Sequence, residues 1–300
     1  MIYKLMIIQE IKLENIFLNK KFLAIILISL STLFEIMMFT VLRIVQSDIN
    51  VYTTSFFRFF FSLIILIPYI FYTKFSFTKT NNIKKHLVRS SLNLPAMYLT
   101  FGALTMIPLE KINAIHFLNP LFVSIFAVIF FKEKIYIYRV ISLVLGFVGI
   151  IVVIRPGLIP LEIGSFMVLG STILWALCII ITKDITKEES AINILIFQCI
   201  FMSLFTFIIA YFNWELPSSD QLMLLFLSAL FGNVFHLMIN HSFKIADLTL
   251  TAPFRYSVLI WGSLFGFLFF NEIPDFFTWI GGTIIFLSIL ILTYYESKTN

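Results

Sequence analysis

The run TAPFRYSVLIWGSLFGFLFFNE, residues 251–272, sets Arg255 inside a stretch that otherwise suits the interior of a lipid bilayer. A guanidinium offers a planar fork of donors, and a carboxylate is its natural complement. Few other groups in the chain are placed to do chemistry. Glu35 and Arg58 each interrupt an apolar run, and so do Asn233, His236 and Asn240, whose spacing puts them along one side of a helix. Tyr98, Trp175, Tyr256 and Trp261 carry polar edges within apolar runs. Their rings either pack among the helices or stack on a heterocycle and hold a sulfonium by cation–π attraction.

Other chemistries lack their residues. The chain has no G-x-x-x-x-G-K-[ST] run to cradle a nucleotide and no H-E-x-x-H pair for zinc. His236 and His241 are five apart, on different helix faces, and Cys178 and Cys199 stand alone. No catalytic residue, metal or cofactor is therefore expected. A membrane-embedded enzyme acting on lipid is the alternative from another class. It would need an acid/base constellation at one interface, and Glu133 and Glu272 are expected on opposite sides.

The elements that must position these residues follow from composition. The 300 residues are 60% hydrophobic and only 12% charged, with a mean hydropathy of +1.00. Soluble domains carry about twice that charge, so this is an all-α integral membrane protein. Apolar runs predict ten spans near 22–43, 51–73, 87–108, 112–131, 135–154, 163–182, 191–212, 221–243, 248–270 and 276–295. The loops between them are too short for a soluble domain, so any site lies in the membrane or at its edge. Residues 1–20 carry Lys4, Lys12 and Lys20 and lack a small-residue cleavage site. They read as a cytoplasmic or interfacial segment.

Orientation follows from the basic residues in short loops. With the N-terminus inside, sixteen Lys and Arg fall in cytoplasmic segments, Arg89 and Arg139 among them, and three (Arg43, Lys111, Arg155) fall outside. The topology is thus N-in and C-in, and the net charge of +5 reports contact with anionic head groups and not with nucleic acid. At about 1.5 Å per residue, Glu35 and Arg58 lie ~12 and ~10 Å in from the outer ends of spans 1 and 2. Either they pair and lock two helices, or Glu35 is a site carboxylate. Pairing would keep Glu35 ionised, which disfavours proton-driven transport and leaves exchange open. Arg255 enters from the cytoplasmic side, level with His236, and Gly262 with Gly266 marks its span as an inner helix. Its partner is either a substrate carboxylate or a neighbouring helix.

The chain also repeats itself. Residues 112–135 and 249–274 each form an apolar span ending in Phe-Phe-x-Glu, with Glu133 and Glu272 139 residues apart. A glycine-bearing span follows each, with Gly146 and Gly149 in one copy and Gly281 and Gly282 in the other. This divides the chain into five-span halves, 1–157 and 158–300. Because five is odd, the halves should insert in opposite senses, as in transporters whose substrate site lies between inverted repeats.

Arg58 in FFRFFF, Ala114 and Pro120 before Glu133, Arg155-Pro156, then Gly164, Trp175 and Ala176, and the AP-F-R-Y span ending in FFNEIPD form one ordered pattern. In that order and spacing the whole chain resembles the EamA-type drug/metabolite transporter superfamily. Within it, FFRFFFSLIILIP and TAPFRY with FFNEIPD are most similar to bacterial S-adenosylmethionine uptake transporters, with riboflavin or amino-acid carriers as neighbours. The resemblance implies a monomeric or homodimeric inner-membrane carrier that moves a small metabolite by alternating access. Its expected substrate-binding residues are Arg255, Tyr256, His236, Asn233, Glu35, Arg58, Trp175 and Tyr98.

Overall fold

The computed structural model describes residues 2–74, 79–103, 106, 115–116, 118–154, 163–271 and 276–298. Among them the chain is helical throughout, without a strand. The elements are α1 (Ile2–Val45), α2 (Val51–Tyr72), α3 (Ile83–Ala103), α4 (Asn119–Phe131), α5 (Ile137–Ile154), α6 (Ile163–Ile185), α7 (Ala191–Tyr211), α8 (Ser219–Ile245), α9 (Leu248–Phe270) and α10 (Phe276–Lys298). They fall where the apolar runs predict spans. Six are long and apolar enough to cross a membrane: α2, α6, α7, α8, α9 and the Lys20–Val45 part of α1.

At the N-terminus, α1 runs unbroken through 44 residues and carries the basic segment before span 1. Glu272, Arg155 and Ala114, with the segment that would begin span 4, lie outside the described residues.

Helix ends explain the Phe-Phe-x-Glu motif. Lys132 (φ 54°) and Asn271 (φ 55°), the x of each copy, both adopt the left-handed conformation and close their helices through backbone N–H groups. Glu133 then leaves its helix and accepts the N–H groups of Leu248 (3.1 Å) and Thr249 (3.0 Å). A carboxylate there satisfies two orphan donors and complements the dipole at the start of α9.

Span 9 is not one regular helix. After Leu248–Thr251 the backbone tightens into a 3₁₀ segment, Ala252–Ser257, before resuming as Val258–Phe270. Pro253 removes an N–H donor at the break. Arg255 and Tyr256 sit in this irregular stretch. Broken helices at membrane depth are tolerated where the backbone is buried in protein.

The packing partners come in matched sets. Helix α1 packs on α8 and on span 9, while α6 packs on α3 and α4. Helix α2 meets α7, and α5 meets α10. The core holds Ile28, Ala176, Ile180, Phe235, Ile239 and Phe254, drawn from both halves.

Candidate substrate site

Helix α1 carries Thr32 and Glu35 one turn apart on the face that meets span 9. Thr32 Oγ1 lies 2.8 Å from Ser257 Oγ. Beside it, Arg255 Nη2 donates to Glu35 Oε1 at 3.0 Å and Oε2 at 2.9 Å. The guanidinium carbon is 5.8 Å from the Phe235 ring, and Nη1 is buried without a hydrogen-bond partner. Glu35 pairs with Arg255 and not with Arg58, which corrects the pair expected from depth; of the two partners expected for Arg255, the structure shows the neighbouring helix, through Glu35. Matched depth alone had put Glu35 beside Arg58, but depth says nothing about which way each helix is turned.

Arg58 instead turns toward α1 and α8. Its Nε and Nη2 lie 3.2 and 2.8 Å from Met38 Sδ, and its guanidinium carbon is 4.5 Å from the Phe59 ring. Gly232 borders the group, where a Cβ would stand 3.3 Å from Nη2. Next along α8, Asn233 donates Nδ2 to the Ser62 carbonyl at 3.0 Å and so ties α8 to α2.

His236, one helical turn on, ends a hydrogen-bonded chain that runs through Gln198 to Arg89. Arg89, counted from sequence in a cytoplasmic loop, is buried at 6% exposure in α3. Its Nε donates to Thr182 Oγ1 at 2.6 Å and its Nη2 to Gln198 Oε1 at 2.9 Å. Gln198 Nε2 is 3.2 Å from His236 Nε2. An arginine can only donate, so the amide oxygen must face it and the amide N–H must face the imidazole. His236 Nε2 therefore accepts, and its ring proton lies on Nδ1. Arg139, also counted in a loop, is 2% exposed and donates Nη1 to Thr249 Oγ1 at 2.7 Å.

The aromatic candidates separate from this group. Tyr256 is fully buried with its ring against Gly146, where any added Cβ would collide with it, and its hydroxyl lacks a partner. It is a packing residue in this state. Tyr98 packs its ring at a tilt against Tyr52 (5.5 Å) and edge-on to Phe101 (6.2 Å). Tyr52 in turn lines a depression with Asn50, Asn213, Trp214 and Glu215 at one end of the bundle. Tyr98 thus lies next to a residue of that depression, with its ring contacts outside the charged cluster. Trp175 is half-buried on α6.

A second polar cluster escaped notice. His116 Nε2 lies 3.0 Å from Thr100 Oγ1 and its Nδ1 lies 3.1 Å from Thr172 Oγ1, while Thr100 also meets Ser171 at 2.8 Å. The motif offset would have found it: position 255 less 139 is 116, so His116 is the counterpart of Arg255. Thr172 on α6 then plays toward His116 the part that α1 plays toward Arg255.

Charged and polar groups converging between apolar helices, around a broken span, define a polytopic membrane protein built to pass a polar solute. The chain matches the EamA-like transporter family twice, at residues 22–155 and 162–294, and belongs to that family. It is a multi-pass protein of the bacterial inner membrane. Among its relatives, the S-adenosylmethionine uptake transporter of Rickettsia prowazekii is 32% identical over 83% of this chain and 84% of its own length. The riboflavin transporter of Vibrio cholerae is 23% identical over 83% of this chain and 84% of its own. A solved crystal structure superposes with a TM-score of 0.74 at 12% identity, covering 94% of this chain and 98% of that one. At that identity it shows the fold alone.

Proposed function

We propose that this chain is a secondary transporter that takes up S-adenosylmethionine, by exchange for a related metabolite, through alternating access of two inverted five-helix repeats. The observation that carries the substrate is the 32% identity to uptake transporters of that molecule over 83% of the chain. The repeat rests on the double family match, the shared left-handed residues Lys132 and Asn271, and the matched helix pairings. Inserted in opposite senses, the halves give ten helices with both termini inside. Removing buried Arg89 and Arg139 from sixteen inside charges leaves fourteen against three, which still favours that orientation.

The transport site lies around Glu35, Arg255, Arg58, His236 and Asn233. Tyr98 lies toward one mouth, and Tyr256 and Trp175 are reached as the halves rock. S-adenosylmethionine has a carboxylate for a guanidinium, a sulfonium for an aromatic face, and an adenine for stacking. Both Glu35 oxygens are taken by Arg255, which favours exchange over a proton cycle through that carboxylate. The carrier acts as a monomer or homodimer, without cofactor.

Counterflow in proteoliposomes tests the reading. Vesicles loaded with unlabelled S-adenosylmethionine should concentrate the labelled compound well above empty vesicles. Uptake equal to protein-free vesicles would remove this substrate. Riboflavin counterflow under the same conditions would favour the second reading, which the Vibrio cholerae relative supports.

A further inference from the structure

We infer that Arg58 is the group that binds the carboxylate of an α-amino-acid headgroup, and that Glu35 and Arg255 form a self-contained pair beside it. The inference rests on the transport-site reading above and assigns its polar end. Arg58, Arg89 and Arg255 all lie within electrostatic range of His236. Each of the other two guanidinium groups is held by oxygen acceptors of the protein. Arg255 has the Glu35 carboxylate on Nη2, with Nη1 left unpartnered, and Arg89 has Thr182 and Gln198.

Arg58 has only a thioether and a ring face. Sulfur is a weak acceptor, and no carboxylate lies within ion-pair distance of Arg58 among the described residues. Glu35 is within electrostatic range but turns both oxygens on Arg255. A guanidinium left without an oxygen acceptor in the membrane interior is costly, and such groups mark solute pathways. The missing acceptor is supplied by the solute.

Two further groups stand beside the guanidinium. Gly232 keeps bare backbone beside the guanidinium, since a Cβ there would stand 3.1 Å from Met38 Sδ and 3.3 Å from Arg58 Nη2. On the next residue, the Asn233 Nδ2 bond to Ser62 fixes the amide, and Oδ1 is left buried with no hydrogen-bond partner. An unfilled guanidinium and an unfilled amide oxygen match the carboxylate and the ammonium of an α-amino acid.

The test is a cycle between residue and ligand. Binding of S-adenosylmethionine and of its decarboxylated analogue is measured on wild type, Arg58→Gln and the double variant Glu35→Gln with Arg255→Gln, which removes both charges of the pair together. Wild type should prefer the carboxylated compound by about 10- to 100-fold, the range expected for a charge-assisted hydrogen bond. Arg58→Gln should bring the ratio to about one by weakening only that compound, whereas the double variant, whatever its absolute affinity, should keep the ratio above one. A ratio unchanged in Arg58→Gln, or lost in the double variant instead, overturns the inference.

A second measurement needs no ligand. Arg58→Met replaces an uncompensated charge with an apolar group beside Met38 and Phe59, so the ligand-free protein should melt a few degrees higher. A lower Tm would make Arg58 a structural strut and overturn the inference. If wild type binds neither compound, the substrate reading falls, and this melting comparison still decides the role of Arg58.

Discussion

Arg255 and Glu35 are 17% and 14% exposed, so their pair is partly shielded, and breaking it leaves a charge with little water to replace its partner. Charge exchange separates this pair from the one that depth suggested. Glu35→Arg with Arg255→Glu should recover folded protein and part of the transport that either single change abolishes. Glu35→Arg with Arg58→Glu should recover neither, and expression with counterflow reads both outcomes. At His236 the hydrogen-bond chain makes a sharper statement, because Gln198 takes Nε2 and leaves Nδ1–H as the donor. An asparagine amide stands close to where Nδ1 was, and a glutamine amide closer to Nε2. His236→Asn should therefore keep more transport than His236→Gln, measured as kcat/KM for uptake, and the reverse order would mean that the free nitrogen is Nε2. None of this was legible in the sequence beyond residue type. Arg89 was assigned to a loop because it lies near the start of an apolar run, and only packing shows that α6 and α7 enclose it.

Helix ends and breaks are the element-scale features that fix where those residues stand. The left-handed Lys132 closes α4 so that Glu133 can turn back onto span 9. Lys132→Gly should be neutral or mildly stabilising, whereas Lys132→Val should cost about 1–2 kcal/mol. Thermal melting of the two variants checks this, and equal effects would mean the conformation is not retained. Gly146 is a close approach of another kind, since the Tyr256 ring fills the space that its side chain would occupy. Gly146→Ala should destabilise by about 1–3 kcal/mol through overpacking, while Tyr256→Phe, which removes only an unpartnered hydroxyl, should not. The Phe-Phe-x-Glu repeat was readable from the sequence, but its reason was not. Two residues of unlike chemistry, Lys132 and Asn271, share a backbone angle and nothing else.

Polar ties hold the molecule at both ends, and all except that of Lys244 join the first half of the chain to the second. At one end Asn50 donates its N–H to Glu215 (2.8 Å) and Nδ2 to the Asn213 carbonyl (2.7 Å). At the other, Lys85 pairs with Asp184 (2.7 Å), His86 with Glu189 (3.1 Å) and Asn82 with Glu188 (2.7 Å), while Lys244 donates to the Glu189 carbonyl (2.9 Å). Alternating access requires these ties to break in turn. A short thiol cross-linker joining Asn50→Cys to Asn213→Cys should stop counterflow reversibly, against a background in which Cys178 and Cys199 are both buried. Full transport in the cross-linked protein would show that this end need not open.

The sequence by itself determined that the chain lives in a membrane, nearly where its helices run, that it repeats, and which few polar residues interrupt the apolar spans. Those follow from one-dimensional quantities: the length of apolar runs against the bilayer, the rarity of charge within them, and the recurrence of a motif. Tertiary structure alone decided who meets whom. A helix that is apolar on every side carries no signal for its rotation about its own axis, so equal depth could not choose between Arg58 and Arg255 as the partner of Glu35. That choice is made by the packing of α1 against α8 and the broken span 9, which turns Glu35 to Arg255 and Met38 to Arg58.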